Sequence, residues 1–338
     1  MKRHFIASIL VTLMLALVLS SCGSTSAPAS QSTASTSANT VQQSTASSAE
    51  STAAYPLTFD NYGREVVVKA KPSKVLTLGP NCTETLVALG LTDYIIGNSL
   101  KNHSRGPLPE YVEEYKKIPE LSYANATREA VISSGADFIY GLDWEFGGDG
   151  LNADELAGYG MTTYINSATT VEQAYQEILD IGKIFGIEDK AKVYVEDQKA
   201  RIKAVQDKVA GQKSPKVLIY DSGNNGVFTC SGINFESLLV GMAGGENMFA
   251  DQKDKAWVTV SYEEVLARVP DIILIHDYDS PSVEEKIAEI KANDTLSKLD
   301  CVKNGRFAVI ELESVLPGNR MAYTVEKLAK AFYPDLFK

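Results

Sequence analysis

From Leu57 onward the chain alternates between two kinds of apolar pattern. Leu57-Thr-Phe-Asp-Asn and Arg64-Glu-Val-Val-Val place apolar residues at every second position on either side of Tyr62-Gly63, which predicts a β-hairpin. Short β-branched runs then follow at Lys74 to Leu78, Tyr94 to Gly97, Asp137 to Tyr140 and Thr162 to Ile165. Between them lie stretches of helical period at Glu84 to Leu89, Arg128 to Ser133 and Val171 to Phe185. Such alternation predicts a mainly parallel sheet covered by helices.

A second series of the same kind starts at Lys216-Val-Leu-Ile-Tyr. It continues through Phe235 to Met242, Tyr262 to Ala267, Asp271 to His276, Val283 to Lys291, Arg306 to Ile310 and Met321 to Phe332. The two halves match in detail. In each, a glutamate (Glu129, Glu263) precedes by eight residues an aspartate (Asp137, Asp271) that opens a strand, as an internal duplication would leave it. Glu84 and Glu236 also occupy equivalent places and are expected to stabilise helix starts. Asp189 to Ala210 has no Gly or Pro and forms a helix of roughly 33 Å between the halves. The expected fold is therefore α/β: two Rossmann-like lobes, residues 55–187 and 212–338, joined by one long rigid helix at 188–211. The ligand cleft lies between the lobes at the carboxyl ends of the strands.

The first 54 residues read differently. Lys2 and Arg3 precede an apolar stretch from Ile6 to Leu19, and small residues lead into Cys22, the pattern of a signal peptide over residues 1–21. Between Gly23 and Ala54, 24 of 32 residues are Ser, Thr or Ala, a composition that cannot bury a core. As a coil this segment spans on the order of 30 Å. The net charge is −11 and the leader carries only basic charge, so the exported part is more acidic still, which argues against a nucleic-acid partner. Beyond Cys22 the cysteines are Cys82, Cys230 and Cys301, without CxxC spacing, and only three histidines occur. No direct metal site is expected, and a bound metal would arrive inside a ligand.

Leader, small-residue approach to Cys22, tether, duplicated lobes and connecting helix together resemble the substrate-binding lipoproteins of ABC importers. More narrowly, they resemble the helix-linked class that binds ferric siderophores, haem and cobalamin. The most specific stretches are Thr58-Phe-Asp-Asn-Tyr-Gly-Arg-Glu-Val, Lys74 to Gly90, Trp257 to Asp271, Asn304-Gly-Arg-Phe and Arg320 to Pro334. The resemblance implies that Cys22 is acylated and that the monomeric receptor is held on the outer face of the cytoplasmic membrane, and the long Ser/Thr-rich tether points to a single-membrane bacterium. The resemblance further implies that Glu129 and Glu263 dock onto arginines of a permease dimer coupled to its ATPase, although each could instead serve only its own helix start. No cofactor is implied; the ligand is a ferric chelate or related metal complex.

Strand ends and this resemblance nominate Asn81, His103, Arg105, Trp144, Phe228, Trp257, His276, Tyr278 and Arg320 for the cleft. Aromatic residues there would bury a planar or apolar cargo, yet Phe228 and Trp257 could equally be core. His103 and His276, in opposite lobes, could together ligate haem, and Arg320 could face anionic oxygens. Two rival readings remain. One is a surface adhesin or chelator on the same scaffold. The other is a phosphatase using Asp277 and Asp279 of Ile272-Ile-Leu-Ile-His-Asp-Tyr-Asp, which lacks an acidic pair for magnesium downstream.

Overall fold

The structure is a computed structural model and describes residues 54–338 apart from Asp149 and Asn224. The expected signal peptide, Cys22 and the tether up to residue 53 lie outside the described residues. Strands β1 (Leu57–Asn61) and β2 (Arg64–Val68) form the antiparallel hairpin. Tyr62 and Gly63 both adopt left-handed conformations, with φ of 57° and 68°, the geometry that matches the twist of a two-residue turn.

The first lobe is built on β3 (Val75–Leu78), β4 (Ile95–Ser99), β5 (Phe138–Leu142) and β6 (Thr162–Asn166), all parallel, in the order β4-β3-β5-β6. The second contains β7 (Lys216–Tyr220), β8 (Ser222–Gly223), β9 (Val227–Cys230), β10 (Glu246–Asn247), β11 (Trp257–Val260), β12 (Ile272–Asp277) and β13 (Phe307–Glu311). Its parallel sheet runs β10-β7-β12-β13, the same permutation of first, second, third and fourth strands as in the first lobe. The duplication read from residue pairs is thus repeated in topology. It also has a local physical reason: Asp137 accepts the backbone N–H groups of Ser73 and Lys74, and Asp271 accepts that of Lys216. Each aspartate clamps the start of its lobe's first strand to the third.

The second lobe carries an element that the pattern did not predict, a small antiparallel sheet in the order β11-β9-β8. Its strands are two to four residues long, too short to announce themselves by period. Helix Glu188–Val209 joins the lobes and buries Ala191, Val195, Gln198, Ile202, Val205 and Val209. Toward the first lobe, Gly182 lets it approach so closely that an added Cβ would sit 2.3 Å from that of Ala191. Toward the second, Tyr194 donates to the carbonyl of Asn319, the Gln198 side chain accepts the N–H of Ala322, and Arg201 donates two hydrogen bonds to the Glu326 carboxylate. The helix is fastened to both lobes along its length. Cys82, Cys230 and Cys301 are buried free thiols, and burial pushes the first two well above the ordinary range.

Candidate functional site

In both parallel sheets the strand order reverses between the first and third strands, and the loops leaving those strands converge between the lobes. Asp143 and Trp144 follow β5, Asp221 follows β7, and Tyr278 follows β12. The β3 exit turns at Gly79, with φ of 137°, where an added Cβ would lie 2.7 Å from the Leu142 side chain, so only glycine fits there. A cavity of about 390 Å³ is lined by His103, Asn125, Trp144, Asp221, Phe228, Trp257, Tyr278 and Leu312. A side chamber of about 140 Å³ shares Trp144 and Trp257 with it and extends toward Asn166, Asn234 and Pro317.

The cavity wall is aromatic on both sides. From the first lobe, His103 and Trp144 lie 5.9 Å apart by ring centroids. From the second, Phe228 and Trp257 stack at 5.2 Å with an interplanar angle of 19°. His103 stacks across the lobes on Tyr278 at 6.3 Å. Trp144 is 41% and Phe228 36% exposed, so large apolar faces stand open to a ligand instead of filling a core. The β9-β11 pairing sets Trp257 opposite Cys230 and Phe228 opposite Thr259. The unpredicted small sheet therefore places the Phe228–Trp257 stack.

Beneath the cavity lies an ionisable cluster. His276, fully buried, meets Asp221 through Nδ1 (3.1 Å) and Glu236 through Nε2 (2.9 and 3.0 Å). Tyr278 donates its hydroxyl to the other Asp221 oxygen, while Lys286 donates to the His276 carbonyl and packs on the Tyr278 ring. Burial works against a charged imidazole, but the two carboxylates outweigh it and push His276 up to about 9. Lys286 is pushed down to about 8 by burial, against the pull of Asp221 and Asp277. Burial would raise Asp221, yet the bond from His276 holds it below the ordinary carboxylate range.

Because the folded-state value of His276 lies above the roughly 6.5 of an exposed histidine, its contribution is complete below that pH and is lost toward pH 9. Stability should fall by about 2 kcal/mol between roughly pH 6.5 and 8. Above pH 8, Lys286, whose folded value is depressed, releases its proton earlier than in the unfolded chain and offsets further loss. Urea denaturation across this range should show the fall, and His276→Gln should remove it.

Several residues expected to face ligand do something else. Arg320 is buried: it pairs with Glu84, which is itself buried, at 2.8 Å through Nε and again through Nη2. It also reaches Glu313 at 3.4 Å and donates to Ser314 and to the carbonyl of Gly106. Its guanidinium is consumed by the seam between lobes and does not meet a cargo. Asn81, 2% exposed, likewise bridges Asn166 and the Pro317 carbonyl across the lobes. Glu313 completes the seam by accepting from Ser104 and from the backbone of Arg105. With both ring nitrogens of His276 engaged, the two-histidine ligation of haem is excluded by geometry.

Glu84 is not a helix-start carboxylate, and Glu236, in the first turn of helix Phe235–Met242, does more than serve that start. They are buried partners of Arg320 and His276, and Glu84 is the fifth residue of helix Pro80–Ala88. The sequence held a faint sign of this, since a carboxylate in so apolar a run as Glu84-Thr-Leu-Val-Ala-Leu needs a partner. His103, Trp144, Phe228, Trp257 and Tyr278 line the cavity, and Arg105, half exposed, stands 3.4 Å from Asp277. Asp221 was missed; its signal was the strand-end position after β7.

Glu129 and Glu263 are exposed, each the second residue of a short helix, Arg128–Ser133 and Tyr262–Arg268, capped by Thr127 and Ser261. Among the described residues neither carboxylate forms an ion pair. Asp277 is occupied by Arg105, and no group of three ligating side chains surrounds it or any other described residue.

A sequence profile described as "Periplasmic binding protein" matches residues 75–313. An uncharacterized ABC transporter substrate-binding lipoprotein of Bacillus subtilis is 28% identical over 295 residues, covering 86% of this chain and 89% of the relative. A vitamin B12-binding protein of Yersinia pestis is 27% identical over 203 residues, 60% of this chain and 69% of that protein. The crystal structure of a periplasmic binding protein from Veillonella parvula superposes with a TM-score of 0.73 at 27% identity, covering 82% of this chain and 97% of the other. With its matched region spanning both lobes and the helix between them, the chain belongs to the periplasmic binding protein family, whose members bind solutes and are not enzymes.

Proposed function

We propose that this chain is the extracytoplasmic receptor of an ABC importer, anchored by a lipid on Cys22, and that it captures a metal chelate of the ferric siderophore, haem or cobalamin kind. The observation that carries the reading is the cavity with aromatic walls from both lobes, at the facing strand ends. Its volume falls within the roughly 300–1,000 Å³ usual for small-molecule sites. The kinship with a vitamin B12-binding protein supports this cargo class, and kinship with a substrate-binding lipoprotein supports the anchor. Glu129 and Glu263 serve as the docking carboxylates. The seam at Arg320 and the fastened connecting helix favour capture with small lobe movement.

The chain offers an internal probe, since Trp144 and Trp257 are its only tryptophans and both line the cavity. Titration with ferric siderophores, haem and cobalamin should quench the fluorescence of the purified protein by more than half at saturation for at least one of them. Trp144→Phe and Trp257→Phe should each remove part of the response. Silence toward every chelate would overturn the cargo class.

A further inference from the structure

We infer that the cavity selects among chelates by charge, admitting neutral and cationic complexes and rejecting anionic ones. This rests on the reading of the cavity as a chelate site and goes beyond it by naming which chelates fit. Neither the cavity nor its side chamber has a lysine or arginine in its wall, whereas Asp221 lines the cavity and Asp143 the side chamber. His103, the one wall residue that could become cationic, is driven toward the neutral form by desolvation.

Every cation nearby is already matched. Arg105 meets Asp277, Arg320 meets Glu84 and Glu313, and His276 and Lys286 offset Glu236 and Asp221. Two carboxylates at or just behind this wall, Asp143 and Glu145, form no ion pair among the described residues. Asp143 is exposed as a residue but hemmed in at its carboxyl, which desolvation pushes up. Glu145, buried and held by Asn125 and the Ala126 N–H, stands directly behind a wall residue of the cavity. A cationic complex relieves both.

The π faces of Trp144, Phe228, Trp257 and Tyr278 add negative potential of the same sign. An anionic complex would meet unmatched carboxylates and electron-rich rings with no donor cation to receive it. Specificity of this kind arises from repulsion of the wrong partner as much as attraction of the right one.

Three ferric complexes of similar size separate the outcomes: cationic ferrioxamine B, neutral ferrichrome and trianionic ferric enterobactin. With quenching of Trp144 and Trp257 as readout, the first two should bind at least about tenfold tighter than the third. The gap should narrow as salt is raised. Asp143→Lys should weaken ferrioxamine B and improve ferric enterobactin, while its thermal melt stays near that of the parent. Equal affinity for cation and trianion, or an unchanged ratio in Asp143→Lys, overturns the charge rule and leaves the chelate site standing. No quenching by any of the three overturns the charge rule, and only silence toward haem and cobalamin as well overturns the chelate reading.

Discussion

Replacing Arg320 by methionine is expected to lower the free energy of unfolding by about 3–5 kcal/mol, the usual cost of removing one partner from a buried ion pair. The side chain is 4% exposed and serves two carboxylates, Glu84 and Glu313, that are each 1% exposed. Without the guanidinium both acids stay buried with hydrogen bonds from Asn319, Leu108, Ser104 and Arg105 but no counter-charge. Glu313, which burial already raises, loses the guanidinium that holds it down, so its folded-state affinity for protons rises further above that of the unfolded chain. Stability is lost as the pH climbs above the ordinary carboxylate range, so the deficit of the variant should shrink toward pH 4. The double variant Glu84→Gln/Arg320→Met should recover a measurable part of the loss. Urea denaturation followed by circular dichroism decides the matter; a cost below about 1 kcal/mol would mean that the seam is solvated.

Reversing both docking carboxylates, Glu129→Arg with Glu263→Arg, should abolish uptake in cells while leaving chelate affinity of the purified protein unchanged. Truncating one side of a hydrogen-bonded charge pair at an interface costs about 2–5 kcal/mol, so each site should weaken permease docking by roughly 30-fold or more. The two residues occupy equivalent positions in lobes of identical strand order, as a two-fold partner requires. A role confined to the helix start predicts another result: a loss of about 1 kcal/mol or less in stability per site, and normal uptake. Lost ligand affinity in the reversed protein would sink the docking assignment, because neither residue lines the cavity.

The contrast between these two experiments follows from what can be read at each position. The matching placement of Glu129 and Glu263 at exposed helix starts was legible because duplication marks it: the same spacing to a strand-opening aspartate recurs, and that aspartate has a local job at the strand start. Arg320 was misread because a charged residue after Pro317-Gly-Asn looks like a loop residue. The partner that buries it, Glu84, lies 236 positions away. His276 was misread for the same reason, since Glu236 and Asp221 reach it from other elements. The aromatic wall was only partly legible. Strand ends nominated Trp144 and Tyr278, but whether Phe228 and Trp257 faced core or cavity depended on a sheet whose shortest strand is two residues.

By itself the sequence determined the two lobes, their parallel sheets, the helix between them and the family, because periodicity and duplication are local or repeated properties that need no knowledge of distant contacts. Only the tertiary structure decided which polar residues of the strand ends face the cavity and which are spent holding the lobes together. That choice turns on partners far apart in the chain, and a buried charge declares its role only when its counter-charge is in place.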